Sequence, residues 1–276
     1  MRSLSSLMAL CYTNPMTHLS VNLNKVALLR NSRGKNHPAP EIFGEKILAW
    51  GAMGLTLHPR PDQRHAKYSD LPVLQGLVQN WKTKRPEVEF NVEGYPSEDF
   101  LEKVLSLKPD QCTLVPDPPE ALTSDAGWDF QKHESFLKEV TVRLQEQGIR
   151  VSLFLDPFEF TPSQLEALRK ISPERIEFYT EAFAENFGTE KQQTCLETYR
   201  KVAHQLTEVG IELNAGHDLN QKNLSLLIQA IPQIKEVSIG HALIEEALWE
   251  GFETTIKNYL KILSSCDLAN PNEKSS

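Results

Sequence analysis

Cysteine is scarce in this chain of 276 residues. Cys11, Cys112, Cys195 and Cys266 are scattered with no CxxC pair. That spacing signals neither a zinc site nor a disulfide framework and fits a reducing compartment, so the cytosol is expected. No apolar run approaches the ~20 residues that span a bilayer, and no membrane partner is expected. GxGxxG and GxxxxGK[ST] are both missing; "GAMG" at 51–54 is not a dinucleotide fingerprint. No HxH pair marks the first strand, and the histidines at 58, 217 and 241 stand singly, without ligand spacing. No metal is expected. A nucleophile elbow is also lacking. Acidic residues are absent from positions 1–40, although the chain as a whole carries a formal charge of −8. So acidic a chain does not suit nucleic acid. Its two local basic segments, Arg2 to Lys35 and Arg60 to Lys67, suggest instead a small anionic ligand.

Apolar, β-branched-rich segments recur between helical patterns. Strands are expected near 19–24, 53–58, 87–93, 112–116, 149–156, 175–180, 210–216 and 236–240. Ser97 is the expected N-cap of "SEDFLEKVLSL". Thr161, Pro162 and Gln164 form a cap, first helical position and capping box for "TPSQLEALRKI". "HESFLKEVTVRLQEQG" reads as an amphipathic helix stopping at Gly148, and one last helix is expected from about 242 to 263. Eight strands alternating with helices within about 250 residues match a (β/α)8 TIM barrel better than a doubly wound sheet. One domain is expected over 16–265. Residues 1–15 are read as an extension, with Met16 as the working start, and 266–276 as a disordered tail. The stretch 117–129 is a lid candidate.

Barrel sites are built at the carboxyl ends of strands. Those ends read Asn22-Leu-Asn24-Lys25, His58-Pro-Arg60, Glu93-Gly94, Pro116-Asp117, Asp156-Pro157, Tyr179-Thr180-Glu181, Asn214-Ala-Gly216-His217-Asp218 and Gly240-His241. Nearly every strand thus emerges with a group able to bind an anion or move a proton. In "EVEFNVE" the apolar Val88, Phe90 and Val92 share one face. Glu87, Glu89, Asn91 and Glu93 therefore share the other, which is either the lumen or the helix-facing side. Glycine in "NAGHD" and "SIGHA" allows close backbone approach, and free N–H groups at a helix start cradle phosphate.

These motifs, "VNLNKVALLRNSRG" (21–34), "HPRPDQRH" (58–65), "NVEGYPS" (91–97), "LVPD" with "LTSDAGWD", "NAGHDL" (214–219) and "SIGHALI" (238–244), resemble the pyridoxine 5′-phosphate synthase family, in family order over about 18–263. The resemblance implies a barrel with added helices and no metal or organic cofactor. It implies condensation of 1-deoxy-D-xylulose 5-phosphate with 3-amino-2-oxopropyl phosphate to pyridoxine 5′-phosphate, phosphate and water. It further implies His58 and Glu93 as bases and His217 as proton donor. Arg60, His65 and Thr123 would contact the sugar phosphate. Asn22, Arg33, Asp218 (through its backbone), Gly240 and His241 would form the amino-ketone phosphate site. Asn24 and Lys25 stand where many members have Asp-His, and are expected to touch the sugar phosphate. A homo-oligomer, an octamer built from dimers, is also implied. The alternatives are another phosphate-binding barrel lyase, isomerase or synthase acting on one sugar phosphate, and a catalytically dead barrel that would have lost His58, Glu93 or His217.

Overall fold

The computed structural model describes residues 17–116 and 126–268. Eight parallel strands close into a barrel in sequence order, each bonded to the next and the last to the first. They are β1 (His18–Asn22), β2 (Gly54–Leu57), β3 (Glu89–Gly94), β4 (Gln111–Leu114), β5 (Arg150–Leu155), β6 (Arg175–Tyr179), β7 (Glu212–Gly216) and β8 (Ile234–Ile239). The helices are α1 (Asn24–Asn31), α2 (Pro40–Ala49), α3 (Asp70–Lys82), α4 (Glu98–Leu107), α5 (Glu134–Gln145), α6 (Pro162–Ile171), α7 (Glu181–Asn186), α8 (Gln192–Glu208), α9 (Leu224–Ala230), α10 (His241–Glu250) and α11 (Phe252–Leu268). The barrel repeat requires one helix after each strand. The surplus helices α1, α7 and α10 begin within two residues of a strand's carboxyl end, on the face where a barrel carries its site.

Strand parity explains both layers of the core. Leu19, Val21, Leu55, Phe90, Val92, Val151, Ile176, Phe178 and Val237 are buried and alternate with polar neighbours. The polar set points into the lumen, because its hydrogen bonds join strands that are not adjacent. Ser238 of β8 meets Thr56 of β2 at 3.2 Å, and Asn214 of β7 meets Gln111 of β4 at 3.4 Å. The face shared by Glu89, Asn91 and Glu93 is therefore the lumen. At the amino-terminal end Arg175 bonds Gln111 and Glu212 at 3.0 Å each, and Arg150 pairs with Glu89, so cations and carboxylates close the barrel bottom.

Some expectations needed correction. Ser97 does cap α4, accepting from the Phe100 N–H at 3.3 Å, and Thr161 caps α6. Gln164, however, does not close a capping box. Its side chain instead accepts the Phe130 N–H at 2.7 Å, tying down the segment after residue 126. The helix ahead of Gly148 ends at Gln145. The single last helix is two, broken at Gly251, whose φ of +81° suits glycine. The second runs to Leu268, past the expected boundary at 265. The extension 1–15, most of the tail, and residues 117–125 of the lid candidate lie outside the described residues.

Candidate active site

A cavity of about 470 Å³ opens at the carboxyl ends of the strands. Asn22, Asn24, Lys25, His58, Arg60, His65, Glu93, His217, Asp218, Gly240 and His241 all line it. Arg33 does not: it sits exposed in the turn after α1. Thr123 lies outside the described residues.

A chain of hydrogen bonds runs across the first three strand ends. The Asn22 carboxamide donates to Glu93 Oε2 at 3.3 Å and accepts the Asn24 N–H at 3.0 Å. Asn24 Oδ1 in turn accepts the His58 N–H at 2.9 Å. Asn24 thus holds the backbone of His58, a contact the sequence did not suggest. Only the oxygen of this side chain is needed there, so Asn serves as well as Asp. His58 Nδ1 lies 3.9 Å from Glu93 Oε2. Burial, then the charges of Arg60, His65 and Arg64, lowers the His58 pKa to about 3. The imidazole is therefore neutral and able to accept a proton.

His65 is also held neutral, at about 4, by burial and by the cations Arg60 and Lys25. Its Nδ1 accepts the Ala66 N–H at 2.9 Å. The ring proton of the neutral form must then sit on Nε2, leaving that nitrogen a donor. Together with Lys25, Arg60 and Arg64 it forms a wall suited to one phosphate. Beside this wall, α10 starts at His241, which shares a surface pocket with Lys25 and Arg64, and it has no side-chain cap among the described residues, so its first N–H groups can meet a second anion. Glycine at 240 lets α10 start close to Asn22, whose Cβ would stand only 3.1 Å from a Cβ there. The "NAGHD" stretch, by contrast, opens no helix. His217 and Asp218 occupy a turn at φ of +63° and +39°, unusual for residues with side chains. Thr180 Oγ1 and Asn223 Nδ2 hold this turn, donating to the His217 carbonyl at 2.7 Å and the Asp218 carbonyl at 3.1 Å. The Asp218 side chain is engaged with its neighbour: Oδ2 lies 2.8 Å from His217 Nδ1, and that bond holds the carboxyl below its usual range.

One residue of the site went unread in the sequence. Glu177 lines the cavity floor from β6, fully inside the lumen. Burial, then the negative Glu93 and Glu236, raises its pKa well above that of an ordinary carboxylic acid. Its Oε2 has no hydrogen-bond partner among the described residues. The signal was available: in "RIEFYT", Glu177 shares parity with Tyr179 at the strand end. Among the described residues no three of His, Cys, Asp and Glu group as metal ligands.

Solved structures share this fold. A tryptophan synthase α-subunit variant from Pyrococcus furiosus matches with TM-score 0.55 at 12% identity, covering 90% of this chain and 98% of that one. A tryptophan synthase chain from M. tuberculosis matches with TM-score 0.60 at 12% identity, over 93% and 96%. At such identities the likeness is one of fold. Sequence relatives are far closer. The pyridoxine 5′-phosphate synthase of Christiangramia forsetii is 44% identical over 248 residues, covering 90% of this chain and 100% of that protein. Its counterpart in Agrobacterium fabrum is 46% identical over 243 residues, covering 87% and 95%. With residues 19–265 also matching the family model described as pyridoxal phosphate biosynthesis protein PdxJ, the chain belongs to the PdxJ family.

Proposed function

We propose that this chain condenses 1-deoxy-D-xylulose 5-phosphate with 3-amino-2-oxopropyl phosphate into pyridoxine 5′-phosphate, releasing phosphate and water, and that it acts as a transferase-class synthase in the cytoplasm. Family membership supports the activity. The observation that carries it is one cavity that gathers a cationic wall, an uncapped helix start and three groups able to transfer protons, the neighbouring His58 and Glu93 and, on another strand end, His217. Imine formation, enolisation, dehydration and ring closure need protons moved at different atoms, which one acid or base could not reach.

His58 is the first base and Glu93 the second; His217, oriented by Asp218, is the proton donor. A base held near 3 is weak. An incoming phosphate neutralises Arg60 and Arg64, two of the cations that depress it, and so makes His58 more basic when substrate is bound. Arg60, His65 and Thr123 take the sugar phosphate, with Lys25 beside them. Asn22, Asp218, Gly240 and His241 take the amino-ketone phosphate. Glu177, which burial makes hold its proton more tightly than an ordinary carboxyl, faces the site from the floor. No helix among the described residues is long and apolar enough to cross a membrane.

The chain works as a homo-oligomer, an octamer built from dimers. In support, Leu28, Leu29, Leu248 and the 88%-exposed Trp249 present an apolar surface beside the cavity mouth. Arg33, exposed and not among the residues lining its own cavity, would meet the amino-ketone phosphate from a neighbouring copy.

The test is to mix purified protein, begun at Met16, with both substrates and follow pyridoxine 5′-phosphate by chromatography with fluorescence detection. Wild type should form product, and Glu93→Gln should lose on the order of 10²-fold or more in kcat. A folded wild type that makes none would overturn the proposal.

A further inference from the structure

Residues 58–69 join β2 to α3 and carry His58, Arg60, Arg64 and His65. This loop is gripped from behind by two consecutive residues at the end of α1. Asn31 aims one carboxamide nitrogen at three successive carbonyls, those of Gln63 at 3.2 Å, Arg64 at 3.1 Å and His65 at 2.7 Å. Arg30, only 4% exposed, spreads its guanidinium over three partners. It donates to the His65 carbonyl at 3.3 Å, to Asp70 Oδ1 at 2.6 Å and to Asn31 Oδ1 at 3.1 Å. Asp70 completes the frame by accepting the Lys67 N–H at 2.8 Å. Neither Arg30 nor Asn31 lines the catalytic cavity.

Three successive carbonyls converge on one amide only if the chain is curled. Gln63 accordingly adopts φ of +50° without being glycine. Left alone, three carbonyl dipoles turned to one side repel each other, so the curl persists only while donors face them. The curl also decides where the side chains go: with its carbonyls turned back toward α1, the loop lies beside the cavity that Arg60, Arg64 and His65 line.

We infer that Arg30 and Asn31 are positioning residues for the sugar-phosphate wall, holding the 60–67 loop in the curl that presents Arg60, Arg64 and His65 to one phosphate. This rests on the proposed activity only in the choice of ligand. They touch no substrate and move no proton. Their loss weakens binding of one substrate and leaves the chemistry near its normal rate.

Asn31→Ala removes the donor, and Asn31→Asp is nearly isosteric but sets a carboxylate against three carbonyls. Arg30→Lys keeps a charge opposite Asp70 while losing the fork. Binding of 1-deoxy-D-xylulose 5-phosphate alone, by calorimetry, should weaken about tenfold in Asn31→Ala, the loss of one strong hydrogen bond, and further in Asn31→Asp. KM for the amino-ketone phosphate and kcat should stay within about threefold. Backbone hydrogen exchange over 60–67 should accelerate in all three variants, with melting temperature little changed. Wild-type affinity and wild-type exchange in Asn31→Asp would overturn the inference. So would equal losses for both substrates, which would mark a merely structural role. If wild type itself binds no sugar phosphate, the proposed activity falls, and exchange in the variants still decides whether the loop is held this way.

Discussion

Asn24 carries no charge, yet it sits at the junction of three strand ends and lines the cavity. Its oxygen satisfies the His58 N–H, and its own N–H is held by Asn22, which also holds Glu93. Asn24→Asp preserves the acceptor but adds a negative charge beside His58, favouring the imidazolium. The acid limb of its kcat/KM profile should therefore move to higher pH, with the fold intact. Asn24→Ala should cost about tenfold in kcat/KM through the unmet N–H. An unmoved acid limb in the Asp variant would show that His58 does not titrate in that limb. Residue identity at His58, Glu93 and His217 was legible because strand ends concentrate chemistry. Glu177 was not, since a glutamate inside a strand reads as surface until the lumen is known to be polar.

Among the elements, the strands were legible from parity: an apolar residue every second position, ended by Gly, Pro or a charge. Helix α4 was legible from Ser97. The break between α10 and α11 was missed because Gly251 interrupts a pattern that is helical on both sides, and glycine is tolerated within helices. Gln164 misled for another reason. A capping-box glutamine and one reaching across to residue 130 look alike in sequence, and only the neighbouring loop distinguishes them. That neighbouring loop segment also rests on Gly127, which packs against the backbone of Leu155 and Asp156, while Trp128 Nε1 donates to the Leu114 carbonyl at 2.9 Å. A Cβ at 127 would collide with backbone that cannot yield. Gly127→Ala should cost about 1–3 kcal/mol in chemical denaturation and impair activity by displacing the described end of the lid candidate. A variant of unchanged stability would mean that this anchor is soft.

For the molecule as a whole, burying His58 and His65 beside the cations at the cavity mouth carries a cost that depends on pH. His58 and His65 titrate near 3 and near 4 in the fold, but near 6.5 once unfolded. Below pH 6.5 the unfolded chain thus binds protons that the folded chain refuses. Their contribution is full above pH 6.5 and is lost as the pH falls toward 4 and 3. The melting temperature should drop on acidification from pH 7 to 4.5, and less steeply in His65→Gln. Identical slopes would remove His65 from this account.

The period-2 strands, the helical stretches between them and the chemistry gathered at strand ends were local properties, carried by neighbours a few residues apart. They were enough for the barrel and for eleven of the candidate positions that line its cavity. What no local pattern could carry was contact between distant segments. The lumen side of β3, the raised proton affinity of Glu177, the grip of Asn31 on three carbonyls, and the absence of Arg33 from its own cavity all depend on residues far apart in sequence being brought together. Burial and electric field, which set the proton affinities of His58 and Glu177, exist only once the barrel has closed around them.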